Sequence, residues 1–201
     1  PPGWRPKGLA KLTFTTLPLF KPAPVLTKRA LALVLAALAF IWPSAAFAEV
    51  EVHFHSFNGS VLWGRYPHTF IVLEGTLEDG TRVDENYGFS ARNVTPSVLM
   101  GPVEHMVLSE KPKTVRRTNR HFSVTLSDAD YVKVVKLIRS WNDMPGKFYD
   151  LDNRNCIHFV GEIARLVGLK VEYPDTMLRG PKKWLNHISA INPELGVEPV
   201  D

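Results

Sequence analysis

From Glu49 to Phe57 (EVEVHFHSF) apolar and polar residues alternate, with Val50, Val52 and Phe54 on one face and Glu51, His53 and His55 on the other. A period of two marks an amphipathic strand. Asn58-Gly59-Ser60 follows as a turn. His68–Leu73 (HTFIVL), entered through Tyr66-Pro67, is a second β-prone run. Asp79-Gly80 is a hairpin signal, and Arg82–Phe89 (RVDENYGF) is the returning strand. Val98–Val103 and His105–Leu108 are weaker strand candidates, and Phe122, Val124 and Leu126 alternate again. The period then lengthens to that of a helix. Ser127 with Asp130 resembles a capping box, ahead of an apolar stripe of Tyr131, Val134, Val135, Ile138 and Trp141. Asp143–Gly146 ends this helix. A second begins near Asn155, with Cys156, Phe159, Val160, Ile163 and Val167 on one face. Gly168 stands at its C′ position and Leu169 is the apolar residue after it. The tail from Tyr173 to Asp201 carries four prolines and one amphipathic stretch around Trp184–Ile191. It is expected to wrap the domain and add no second one.

Charge changes the picture of the first 48 residues. The whole chain of 201 residues has a formal net charge of +4. Residues 1–48 hold six Lys and Arg and no acid, while the rest hold 18 Lys and Arg against 20 Asp and Glu. Lys28-Arg29, the uncharged apolar run Ala30–Trp42, the break at Pro43-Ser44 and the small-x-small Ala46-Phe47-Ala48 read as a secretory signal cleaved after Ala48. The run is short for a membrane span, which needs roughly 20 residues. The expected product is a secreted or periplasmic single domain over 49–201, slightly acidic, attached to a membrane only if the leader is retained. A nucleic-acid partner is not expected, since the basic surplus leaves with the leader. Lys111–His121 (KPKTVRRTNRH) is the one locally basic stretch. It could touch phosphate or an acidic polymer, but it lacks interleaved aromatics and reads first as a solvated loop.

Cys156 is the only cysteine, which excludes an intrachain disulfide scaffold and a cysteine-rich zinc or iron–sulfur site. His53 and His55 share a strand face, but no acidic or Cys ligand has matching spacing, so they read as a solvent-facing or half-buried pair and not as a metal site. No metal or cofactor is expected. Cys156 follows Leu151-Asp152-Asn153-Arg154-Asn155 at a helix start, where partial positive charge favours a thiolate, and Arg154 adds to it. A thiol nucleophile needs a base, and His68, at the start of a strand, is the best candidate. The competing reading is a thiol that fills the core, since free Cys is among the most buried residue types.

Asn155-Cys156-Ile157-His158-Phe159-Val160 resembles the nucleophile motif of the lecithin:retinol acyltransferase-like proteins, members of the permuted NlpC/P60 group of papain-like enzymes. The resemblance runs from about Pro67 to Leu169. It implies an α+β, permuted papain-like domain, an antiparallel sheet packed against two or three helices, with Cys156 as nucleophile and His68 as general base. In that group the His-bearing strand precedes the Cys-bearing helix, as here. It also implies an oxyanion hole that uses the Cys156 amide, and a third polar residue on the returning strand. The acyltransferase-like proteins carry a second His there, and this chain has none between His68 and His105. Asn86 is favoured for that place, then Glu85, with Asp84 remaining; period two groups Asp84 with Asn86 and opposes Glu85. His158 points about 200° from Cys156 around the helix and reads as a packing or hydrogen-bonding residue. Asn155 is placed to cap the helix. Tyr66, Tyr87 and Tyr149 are candidate pocket walls, with core packing the default for each.

Export and resemblance together lead to the expectation of a papain-like thiol hydrolase that cuts amide or peptide bonds, of cell-wall peptides in particular. Its partner would be a small peptide or acyl substrate. The alternatives are a lipid acyltransferase or esterase of the same fold, and a non-catalytic envelope binding module.

Overall fold

The alternation at the start of the domain becomes strand β1 (Glu49–Phe57), which lies inside a five-stranded antiparallel sheet. β2 (His68–Thr76), β3 (Arg82–Ala91), β4 (His105–Leu108) and β5 (Asn119–Leu126) complete it in the order β4-β3-β2-β1-β5. The computed structural model describes residues 49–59 and 66–201; the leader expected over 1–48 lies outside them. The β2–β3 hairpin closes where Asp79-Gly80 predicts it: the Gly80 amide donates to Leu77 O at 2.9 Å, with Gly80 at a φ of 85°.

Register decides which face is core. Phe54 pairs with Ile71 on one side and Phe122 on the other, and Val52 with Leu73 and Val124. Phe54 and Phe122 stack at 4.6 Å. Against this face pack α2 (Asp128–Asn142), α3 (Cys156–Leu166) and α4 (Pro181–Ile191). Val134, Ile138 and Trp141 of α2 are buried, as the stripe predicts. Trp184, Leu185 and Ile188 of α4 have no exposed surface, so the tail supplies a full third core helix. The coarse class, α+β with an antiparallel sheet, is as expected.

The reverse face is covered in part, while its Glu51–Glu74–Asp84 row stays exposed. β4 and β5 lie at opposite edges, so the chain from Ser109 to Thr118, with the short helix α1 (Pro112–Val115), crosses between them. It is tied to reverse-face side chains at both ends. Asn86 Nδ2 donates to Glu110 O at 3.0 Å, and the Glu110 amide donates to Asn86 Oδ1 at 2.6 Å. His55 Nδ1 meets Thr118 Oγ1 at 2.9 Å.

Three local expectations are corrected by long-range packing. His53 and His55 are only 2% and 7% exposed, not solvent-facing or half-buried, because Ser123, Glu74 and Thr118 engage their rings. Val98–Val103 is not a strand: Pro96–Leu99 forms a 3-10 turn, Gly101 takes a φ of 140°, and only Val103 bridges, to Tyr149. Lys111–His121 is not one solvated loop, since β5 starts at Asn119 and His121 is buried.

Burial pushes both His55 and His121 down to about 4. The unfolded chain therefore takes up protons below the ordinary value of 6.5 that the folded chain refuses, and stability falls as pH drops from there toward 4. The expected loss between pH 7 and pH 5 is about 2 kcal/mol after allowance for solvent screening of partly covered rings. Urea midpoints at the two pH values measure it, and equal midpoints would contradict neutral buried histidines.

Candidate functional site

The start of α3 is built by Asn155, which is 2% exposed. Its Oδ1 accepts from the Ile157 amide at 2.8 Å and the His158 amide at 3.4 Å, while His158 Nδ1 accepts from the Asn155 amide at 3.3 Å. This is a capping box with His at the third helical position. Asn155 Nδ2 also donates to Leu151 O at 2.7 Å and Leu178 O at 2.9 Å, which fixes the helix start to the incoming turn and to the chain before α4. At the far end Gly168, with a φ of 92°, allows the Gly168 amide to reach Arg165 O and the Leu169 amide to reach Ala164 O, both at 3.0 Å. His158 stacks its ring against Tyr173 at 4.8 Å. Arg154 donates to Phe148 O at 3.1 Å and lies over the Phe148 ring.

Cys156 is the first residue of α3 and belongs to the helix-covered core, 6% exposed. The amides of Thr69, Ile157 and Cys156 itself favour its thiolate, but burial outweighs them and pushes the thiol up to about 11. The resting group is a thiol. Tyr149, 9% exposed, is part of the core wall, together with Phe89, Trp141, Phe148 and Phe159.

Thr69 directly follows His68, and this part of β2 has a particular geometry. The last β2–β3 pair is Ile71 with Tyr87; from Gly88 onward β3 pairs with β4. Thr69 and His68 lie beyond the end of that pairing, and from there the Thr69 amide favours the Cys156 thiolate. Alternation directs the His68 ring to the side of Phe57 and Phe70, at 5.8 and 6.4 Å. Its Nε2 lies so close to Gly88 that a Cβ on that residue would be 2.5 Å away. The structure thus sets Cys156 against the start of β2 on the helix-covered face, while register turns the His68 ring to the reverse face, beside Phe57, Phe70 and the space that Gly88 leaves open, so the two side chains are not brought into contact.

It does not bring the third candidates to the same place. Asn86 pairs with Val72, four residues along β2 from His68, which is about 13 Å of strand. Both arms of its amide hold the crossing at Glu110. Glu85 accepts from Tyr87 Oη at 3.0 Å and Tyr131 Oη at 3.4 Å on the helix-covered face. Asp84 is exposed opposite Glu74. Tyr66 is 57% exposed.

Two features escape the sequence reading. Gly88 had a signal, since an isolated Gly inside a strand often marks a close approach. The other had none. Ser56, which pairs with Thr69, makes a 2.7 Å bond with His121 Nε2, and His121 Nδ1 donates to Asn186 Oδ1 at 2.8 Å. Asn186 is held by Val200, which it bonds through both amide arms at 2.8 and 3.1 Å. This buried chain of bonds ties β1, β5, α4 and the C-terminal tail together. Its first two steps each span 65 positions, beyond any local pattern. Among the described residues there is no cluster of three or more His, Cys, Asp or Glu able to hold a metal, and no helix long and apolar enough to cross a membrane. Searches of protein-family models, of curated proteins and of solved structures find no match to this chain.

Proposed function

We propose that the domain is an exported papain-like thiol hydrolase that cuts amide or peptide bonds, with Cys156 as nucleophile and His68 as its base. One observation carries this reading: Cys156 is the first residue of a capped helix, and the backbone of Thr69, next to His68, favours its thiolate. His68, reaching round the start of β2 from the reverse face, takes the thiol proton as Sγ bonds to the substrate carbonyl carbon. The carbonyl oxygen becomes an oxyanion facing the Cys156 amide. Collapse breaks the amide C–N bond, His68 returns the proton to the leaving amine, and water then hydrolyses the thioester. Peptides of the cell wall fit the export expectation as substrate.

A thiol at about 11 is ionised to roughly one part in ten thousand at pH 7, so reactivity depends on assistance by the base. The full chain is to be alkylated with iodoacetamide from pH 6 to pH 10. The expected result is labelling at pH 7 about 100-fold faster than in His68→Ala, with none in Cys156→Ser. Equal rates with and without His68, rising only with the unassisted thiol ionisation, would sink the enzyme reading. The burial of Cys156 favours a second reading in that event, a non-catalytic envelope binding module.

A further inference from the structure

The run from Lys111 to Arg120, which takes in most of the crossing and the start of β5, carries five cations in ten residues, Lys111, Lys113, Arg116, Arg117 and Arg120, with no acid among them. All five are exposed. Among the described residues none of them has an ion pair or side-chain hydrogen bond, whereas Lys133, Arg92 and Arg179 each have a carboxylate partner. Three of the five, Lys111, Lys113 and Arg117, line a groove of about 470 Å³ between α1 and the end of β1. Its opposite wall is Phe57, Asn58 and Gly59, and Thr114, Thr118 and Asn119 add polar groups. Glu110 precedes the run but does not line the groove.

The walls are held in place. Thr118 Oγ1 donates to Val115 O at 2.7 Å and meets the buried His55 ring, and the Asn86 clamp on Glu110 fixes the start of the crossing. Concentrating positive charge here raises local self-repulsion, and among the described residues no carboxylate forms an ion pair with it. A concave site with three unpaired cations and hydroxyl and amide donors suits a multiply charged oxyanion better than a single carboxylate.

We infer that this groove binds a phosphate group, with Lys111, Lys113 and Arg117 as its cationic ligands. The site is separate from Cys156 and does not depend on the hydrolase reading. Phosphate esters of a lipid surface and soluble phosphates present the same chemistry, and the experiment separates them.

Calorimetric titration of the full chain with tripolyphosphate, at 50 and 200 mM salt, is the primary test. Wild type is expected to saturate at micromolar concentration in low salt and to weaken as salt rises. Lys111→Gln with Arg117→Gln is expected to weaken binding at least 10-fold. Lys136→Gln with Lys183→Gln, which removes the same charge from exposed positions on α2 and α4, is expected to change it less than two-fold. Circular dichroism checks that each variant is folded. Equal loss in both double variants would overturn the site in favour of unspecific charge attraction. Co-sedimentation with vesicles of phosphatidylglycerol in phosphatidylcholine identifies the source. Binding sensitive to Lys111 and Arg117 on vesicles alone assigns a lipid headgroup, and on tripolyphosphate as well assigns the phosphate itself. No such binding to either probe overturns the inference.

Discussion

Asn155→Ala is expected to lower the unfolding free energy by roughly 3–5 kcal/mol and the melting temperature by on the order of 10 °C. The size follows from what one side chain does. Its Oδ1 caps two amides of α3, worth about 1–2 kcal/mol. Its Nδ2 satisfies the carbonyls of Leu151 and Leu178, and truncation leaves both without that donor, at about 1 kcal/mol or more each. Asn155→Asp separates the contributions. It keeps the cap acceptor at a helix N-terminus, where negative charge is favourable, but sets a carboxylate against two carbonyl oxygens. Thermal unfolding of the three proteins should therefore rank wild type first, Asp second and Ala last. An Asp variant as stable as wild type would mean that the two carbonyl bonds contribute nothing, and that Asn155 is a cap alone.

The same residue shows what the sequence makes legible. Asn155 as cap, the α3 stripe and Gly168 at its end are all local: each follows from spacing within one helix, and each is found in place. Ser127 before α2 and Asp79-Gly80 in the β2–β3 turn belong to the same kind. The failures have a common cause as well. His53 and His55 look like an outward strand face because alternation has no knowledge of the chain that crosses behind it from Ser109 to Thr118. Asn86 looks like a partner for His68 because both face the same way, but register sets them four positions apart and gives Asn86 to Glu110. Ser56, His121 and Asn186 meet only after three elements and the tail have assembled. Periodicity identifies a face; pairing and crossing decide what covers it.

Gly88→Ala is expected to slow alkylation of Cys156 at pH 7 by about 100-fold, to the level of His68→Ala, while leaving the fold nearly as stable as wild type. The backbone at Gly88 is not in the left-handed region, so alanine is conformationally acceptable there. Alanine in a strand even regains about 0.5 kcal/mol of the entropy that glycine loses on folding. The obstacle is steric and local. The new Cβ would meet His68 Nε2 at 2.5 Å and Phe70 Cβ at 3.2 Å. The Phe70 contact is tight but small, whereas the His68 ring must move away. The ring is the far end of a side chain at the first residue of its strand, so it can turn aside at a stability cost of about 1 kcal/mol. What it loses is its position beside the amide that favours the thiolate. Urea unfolding and iodoacetamide labelling of the same samples distinguish the outcomes. Stability retained with reactivity lost supports His68 acting from this position. Stability and reactivity both retained would show that the thiol does not depend on the ring as placed here, and would remove His68 as the base. A large loss of stability would show instead that the space beside Gly88 is needed for packing, and that the ring has nowhere else to go.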